Sequence, residues 1–327
     1  MQNSKKIGIV LLNLGGPDSL EAVRPFLYNL FVDPEIINFP LSFLFRKRLA
    51  KLISDKRSPR IQEQYKQIGG KSPINELTRK QADALEKALN GSLDCRVYIA
   101  MRYWKPFTNE IMQQIERDGI NEIILLPLYP QYSVATTGSS VKEWKRLAEK
   151  YAYVKNLKTK LVERYYDYIP YIDSVVTRIN ETLERFPESV RNKVHILFSA
   201  HGTPVKLVKQ GDPYQQEIIK TVVAVTERGK YKQPHHLSYQ SKVGPQKWLE
   251  PKTLDVIEKL AGEGVKHMLI VPIAFVSDHL ETLFEIGIEF RHLAREKGVE
   301  QFEVMQGLND SPKFISALKE LVLDRIN

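Results

Sequence analysis

Cysteine is nearly absent from this sequence. Cys95 stands alone, which excludes an intrachain disulfide and any four-cysteine iron–sulfur or zinc site. No apolar run approaches the ~18 residues of a membrane-spanning helix. The opening "MQNSKKIGIVLLNLGG" lacks the cleavage region of a signal peptide, so its apolar stretch reads as a first strand and a cytoplasmic location is expected. Nucleotide signatures are missing too. "LNLGGPD" does not have G-x-G-x-x-G spacing, which argues against a nicotinamide or flavin cofactor. "IGGKSPI" (68–74) offers Gly-Lys-Ser, but a phosphate loop needs glycine where Tyr65 stands, and Pro73 follows. Helix-turn-helix, RNA-binding and zinc-finger patterns are also absent, so no nucleic-acid partner is expected.

What is present is a soluble globular composition, 43% hydrophobic and 27% charged over 327 residues, a length that suits two domains of about 150 residues. The net charge is +9. Part of it is local: "RKRLAKLISDKRSPR" (46–60) carries seven basic residues against one aspartate, directly after the apolar "IINFPLSFLF" (36–45). Such a patch suits an acidic ligand or an anionic membrane surface. A solvated basic helix beside a core segment explains the charge alone more simply.

Short apolar runs alternate with amphipathic stretches, the α/β pattern of parallel sheets, and the second half echoes the first. "IGIVLLNLGGP" (7–17) matches "VHILFSAHGTP" (194–204) at an offset of 187. "VYIAMRYWKP" (97–106) matches "HLSYQSKVGP" (236–245) at 139, and "GINEIILLPLYPQYS" (119–133) matches "GVKHMLIVPIAFVSD" (264–278) at 145. The expected fold is two similar Rossmann-like, doubly wound halves whose parallel sheets face a central cleft. The halves are 1–160, with an insertion within 22–80, and 161–307; a C-terminal helix in 308–327 returns to the first half. Ligands of such sheets bind beyond the carboxyl ends of strands, which nominates Leu14, Arg102, Tyr132, Ser133, His201, Phe275 and Asp278, with Leu14 facing His201.

In "PIAFVSDHLETLFEIGIEFRHLAREKG", Ser277 or Asp278 is the expected N-cap. On an α-helix Glu281, Glu285 and Glu289 then fall on one side, within about 80°. A carboxylate row leading away from a base, His201, suits movement of protons or of a cation such as Fe²⁺. His195, His235, His236 and His267 lie in or beside strand-like runs and are expected to be structural or solvent-facing.

These residues resemble one family, the ferrochelatases, terminal enzymes of haem synthesis. "ILFSAHGTPVKLVKQGDPY" is similar to the family's signature, and "LNLGGPD", "RSPRIQEQYKQIGGKSPI", "AMRYWKP", "LPLYPQYSVATTGSS", "YQSKVGPQKWL" and "PIAFVSDHLETLFEI" extend the resemblance from residue 11 to about 289. The resemblance implies a porphyrin cleft between two Rossmann-like halves, and insertion of Fe²⁺ with loss of two pyrrole protons. By motif it implies His201 and Glu281 as the catalytic, metal-handling pair, and Glu285 and Glu289 as an outward path. Asp278 and His279 support them. It further implies Leu14, Tyr65, Ser72, Arg102, Trp248 and Phe275 around the porphyrin and Arg57 on the pocket lip. Lys71 and Gly287 depart from the family pattern, which often has glycine and aspartate there.

Fe²⁺ is then substrate, with no tightly bound cofactor and no iron–sulfur cluster, since the cysteine-bearing extension of cluster-containing members is not seen. A monomer with peripheral membrane contact through 36–60 is expected. Protoporphyrin IX is the expected porphyrin; coproporphyrin, another tetrapyrrole chelation, or a non-catalytic tetrapyrrole-binding protein are the alternatives.

Overall fold

Apolar runs bounded by glycine or proline become strands in this chain. The computed structural model describes residues 6–36, 42–241 and 246–326, the side chains of 42–44 excepted. Strand β1 (Ile7–Asn13) is buried at every position, as a strand covered on both faces must be. It pairs in parallel with β2 (Cys95–Met101) and β3 (Glu122–Pro127), and β4 (Lys158–Leu161) completes the order β2-β1-β3-β4. A second sheet repeats the scheme: β5 (His195–His201), β6 (His235–Gln240), β7 (His267–Pro272) and β8 (Gln301–Val304) pair in parallel in the order β6-β5-β7-β8. The fold is α/β, as expected.

The chain divides into two units. The first holds the residues up to Tyr129, Ser133–Arg164 and those from Leu318 onward; the second holds Pro130–Tyr132 and Tyr165–Ala317. Each has its own apolar core on one face of its sheet. In the first, Val10, Leu12, Ile123 and Leu125 meet Ile111, Ile115 and Trp144; in the second, Leu197, Met268 and Ile270 meet Ile257, Leu260 and Phe290.

Hydrogen bonds refine the internal repeat. Leu128 N donates to Leu12 O, and Ile273 N donates to Ser199 O, which keeps the offsets of 187 and 145. The middle match is corrected. Register pairs Ile9 with Val97 and Ile196 with His235, so Val97 corresponds to His235, one residue from the expected partner His236. Beyond these strands, Met101 N bonds Pro106 O at 2.8 Å and Tyr239 N bonds Pro251 O at 2.9 Å. Pro251 therefore takes the place assigned to Pro245, which lies outside the described residues. Four residues lie between the first pair and eleven between the second, so the second unit has a longer connection here.

Between β1 and β2 run helices Val23–Phe31, Ser42–Gln67 and Ile74–Leu89. The basic run falls on Ser42–Gln67, which buries Ala50, Ser54 and Ser58 while Phe45 and Leu52 stay exposed. Of the expected 36–60 lip, residues 37–41 lie outside the described set. No helix among the described residues is long and apolar enough to cross a membrane.

The Gly15-Gly16 turn after β1 shows why glycine is required. Asn75 clasps Gly16 through both backbone groups, at 3.1 and 2.7 Å. A Cβ on Gly16 would lie 2.4 Å from Ser72 Oγ. Gly16→Ala is expected to destabilise the protein by about 1–3 kcal/mol through overpacking. The double variant Gly16→Ala with Ser72→Gly should recover part of the loss in thermal midpoint; no recovery would mean that the clash is not with Ser72.

Candidate active site

The second unit gathers its ionisable groups at the carboxyl ends of β5, β6 and β7. His201 is the last residue of β5, and the motif behind it holds the strand end in place. The Tyr214 hydroxyl donates to His201 O at 2.9 Å, and Tyr214 N donates to Asp212 Oδ1 at 3.0 Å. Gly202 N donates to Gln240 O at 2.7 Å, an approach so close that a Cβ there would sit 2.8 Å from that oxygen. The ring itself is left with an unused group: His201 Nδ1 is buried without a hydrogen-bond partner. Burial pushes the His201 pKa below the ordinary histidine value; the Glu281 charge opposes this, and His279 adds to it. The imidazole is therefore held as a free base at neutral pH.

Phe275 bridges two histidines. Its ring meets His201 edge-on at 6.0 Å and lies 4.0 Å from His279. His279 Nδ1 is 3.1 Å from Ser277 O, and since a carbonyl only accepts, Nδ1 carries the proton. His279 Nε2 lies 3.1 Å from Glu281 Oε2.

The turn presenting these groups is fixed by a residue that sequence reasoning missed. Asn309, buried and at φ 46, accepts from Asp278 N at 3.0 Å and donates to Asp278 Oδ2 at 2.8 Å. Gly307 N also donates to Asp278, at 3.1 Å. Asp278 is thus a buried anchor, and the residue at the helix cap position is Leu280, without a side-chain cap. The run "LNDSP" was the available signal, since asparagine tolerates the left-handed region.

The expected α-helix is a π-helix over Glu281–Phe290, a form frequent at functional sites. Glu285 accepts from Ser241 Oγ at 2.7 Å and from Ser241 N at 3.2 Å. Burial pushes its carboxyl up to about 7; the charges of Glu281 and Glu289 add to this, and the Ser241 bonds oppose it. Glu289 is exposed, whereas the Glu281 side chain is 34% exposed, so burial peaks in the middle of the row. Trp248 and Glu285 line one cavity of about 160 Å³. Among the described residues, no three His, Cys, Asp or Glu side chains form a group that can hold a metal ion.

The first unit brings together another set. Leu14 follows β1, and its carbonyl accepts from Tyr103 N at 3.0 Å. Arg102 follows β2 and pairs with buried Asp33 at 2.8 Å and with Ser139 Oγ at 2.8 Å; Tyr103 Oη donates to the same aspartate at 2.7 Å. Asp33 was not singled out by sequence. Ser72 is buried against Gly16, and Tyr65 is buried on helix Ser42–Gln67. Arg57, on that helix, lies over the Phe31 ring. Ser133 is the residue before a short π-helix, Val134–Gly138. Tyr132 belongs to the second unit, where its N–H donates to Glu217. Away from these sites His195 and His236 bond each other at 3.0 Å.

Comparison with known proteins now decides the family. The ferrochelatase family model matches residues 6–326. The chain belongs to the ferrochelatase family. The ferrochelatase of Trichodesmium erythraeum is 46% identical over 324 residues, 98% of this chain and 83% of that protein. That of Synechococcus elongatus is 46% identical over 319 residues, 97% and 82% of the two chains. Among solved structures, SirB from Bacillus subtilis with Fe³⁺ matches with a TM-score of 0.57 at 11% identity, covering 98% of this chain and 95% of that one. CbiX, the terminal enzyme for siroheme biosynthesis in denitrifying bacteria, matches with a TM-score of 0.53 at 11% identity, covering 98% and 100%. At such identities the likeness is one of fold.

Within this candidate site, the Glu285 carboxyl gives a test independent of activity. Its folded pKa is raised from 4.5 to about 7, so its contribution to stability is full below the unfolded value and lost as pH rises through 7. Glu285→Gln removes that loss. Relative to wild type, the variant should gain on the order of 3 kcal/mol between about pH 5 and about pH 8. Denaturant unfolding at both pH values checks this; a difference that does not change with pH would place Glu285 in water.

Proposed function

We propose that this chain inserts Fe²⁺ into protoporphyrin IX, releasing two protons to give protohaem. The observation that carries this reading is the buried, unpartnered Nδ1 of His201 beside the charge of Glu281, in a chain of the ferrochelatase family. A buried polar atom without a partner is rare and points to a ligand.

The reaction replaces two N–H bonds by bonds to iron, with no change of oxidation state. His201, a free base at neutral pH, accepts a pyrrole proton at its free ring nitrogen, while Glu281 passes a proton on or holds Fe²⁺ beside the ring. The same donor atoms serve both tasks. Phe275, Leu14 and Trp248 supply apolar walls that favour a bent porphyrin over a flat one, which is differential stabilisation of the transition state. Arg57 meets the propionates at the lip, and Arg102, Tyr65 and Ser72 belong to the porphyrin surroundings. A carrier protein for tetrapyrroles needs neither the free imidazole nor the carboxylate row.

Anaerobic incubation with Fe²⁺ and protoporphyrin, followed as loss of free-base fluorescence, tests this, and the same assay with coproporphyrin decides between the two porphyrins. His201→Ala should keep the fold and lower turnover about 10²–10⁴-fold. Glu281→Gln should be severe, Glu285→Gln moderate and Glu289→Gln mild. Near-normal turnover in His201→Ala, or equal losses at Glu281 and Glu289, would defeat this assignment of roles.

The same reading includes a peripheral membrane contact through 36–60. Protoporphyrin is poorly soluble, so a chelatase gains by taking it from a bilayer. Lys47, Arg48, Lys51 and Arg60 are exposed on helix Ser42–Gln67 beside exposed Phe45 and Leu52, and each basic residue adds about 1 kcal/mol at an anionic surface. Flotation with anionic liposomes should exceed that with neutral ones and fall with added salt. Salt-independent flotation, or none, removes the electrostatic contact.

A further inference from the structure

Ser241 combines three features that no role assigned so far uses. It has φ 60, a left-handed backbone that residues other than glycine and asparagine seldom adopt and that tends to persist at functional sites. That conformation turns two donors onto one carboxylate: Ser241 N–H bonds Glu285 Oε1 at 3.2 Å, and Ser241 Oγ bonds Oε2 at 2.7 Å. Both oxygens are therefore fixed by a single residue. By the register of the two sheets Ser241 stands where Tyr103 stands after β2, at the start of a connection that is longer in the second unit.

Glu285 and Ser241 both line the cavity of about 160 Å³. Gln240, whose buried Nε2 has no partner, and Thr253 line it too. A space of this size with several polar groups accommodates ordered water, which gives a proton on Glu285 somewhere to go. Among the described residues, the charged groups around Glu285 are Glu281 and Glu289 on its own helix and Lys247, Glu250 and Lys252, which line the same cavity.

We propose that Ser241 is a positioning residue for iron insertion: it orients the Glu285 carboxylate and favours its charged form, so that Glu285 takes the proton leaving the histidine side and delivers it to the cavity. The inference rests on the reading of this chain as a ferrochelatase. Donors to a carboxylate stabilise its charged form against burial, so loss of the hydroxyl makes Glu285 hold its proton to higher pH. A carrier that stays protonated cannot accept, and the acid limb of the turnover profile moves upward.

Ser241→Gly is the informative variant, because glycine keeps the backbone conformation and its N–H while deleting the hydroxymethyl group that carries the Oγ donor. Ser241→Asn tolerates the same conformation and restores a side-chain donor. Charge-assisted hydrogen bonds are strong enough that Ser241→Gly should move the acid limb of kcat up by about one pH unit. Turnover then falls about 10-fold on the acid side and stays within about 2-fold of wild type at alkaline pH, and Ser241→Asn moves the limb back.

Infrared titration of the protonated carboxyl band, assigned by its absence in Glu285→Gln, should show the same displacement in the full-length protein without substrate. Superimposable infrared midpoints for wild type and Ser241→Gly would overturn the proposal, as would an unmoved acid limb with turnover lowered equally at every pH. If the wild type inserts iron into neither porphyrin, the functional reading falls and with it the role in iron insertion. The infrared midpoint would still decide whether Ser241 governs Glu285.

Discussion

Desolvation of ionisable groups at strand ends is the constraint on which the second unit's site depends. Water would hold His201 near its ordinary proton affinity and leave Glu285 charged at neutral pH. Burial shifts the two in opposite directions, lowering the imidazole and raising the carboxyl, because in each case it disfavours the charged form. The result is a neutral base and, in the same unit, a carboxyl that exchanges its proton near pH 7. The surrounding bonds serve this arrangement: Tyr214 and Gly202 hold the end of β5, and Asn309 holds the turn carrying His279.

The two units show how one topology carries two chemistries. In each, the residues ending the second strand reach the helix that follows the third. In the first unit Arg102 and Tyr103 meet Ser139 and buried Asp33, a network in which the guanidinium neutralises the carboxylate. In the second, Ser241 meets Glu285 with neutral donors only, so the carboxylate is oriented without being paired. The Asp33–Arg102 pair is costly to break, since removing either charge leaves the other buried and alone. A carboxyl held by serine exchanges readily.

Much of this was legible in the sequence. The strand ends, the duplicated plan and the grouping of His201 with "DHLETL" follow from apolar runs and from proline and glycine punctuation. The register of β6 did not. "HHLSYQ" ends in three buried residues, so no alternation of polar and apolar side chains marks its faces, and a one-residue slip goes unnoticed. The π-helix was also hidden, because glutamates four apart stack along an α-helix and along the wider π turn alike. Asp33, Asn309 and Ser241 act through contacts distant in sequence, and a lone polar residue after an apolar stretch carries no mark of its partner.

The carboxylate row itself changes meaning once burial is known. Read from spacing, it is a path running steadily outward from Glu281 to Glu289. In the structure the middle member is the most protected: Glu285 is the one whose proton affinity burial raises to about 7, while Glu281 is one-third exposed and Glu289 lies at the surface. A proton descending a simple gradient would find each carboxylate more acidic than the last and would never rest. Here it meets a carboxyl that binds it more tightly than an exposed glutamate does, so Glu285 is a station rather than a rung. A station needs its own outlet and its own control, and the cavity beside it and the two Ser241 donors fill those places.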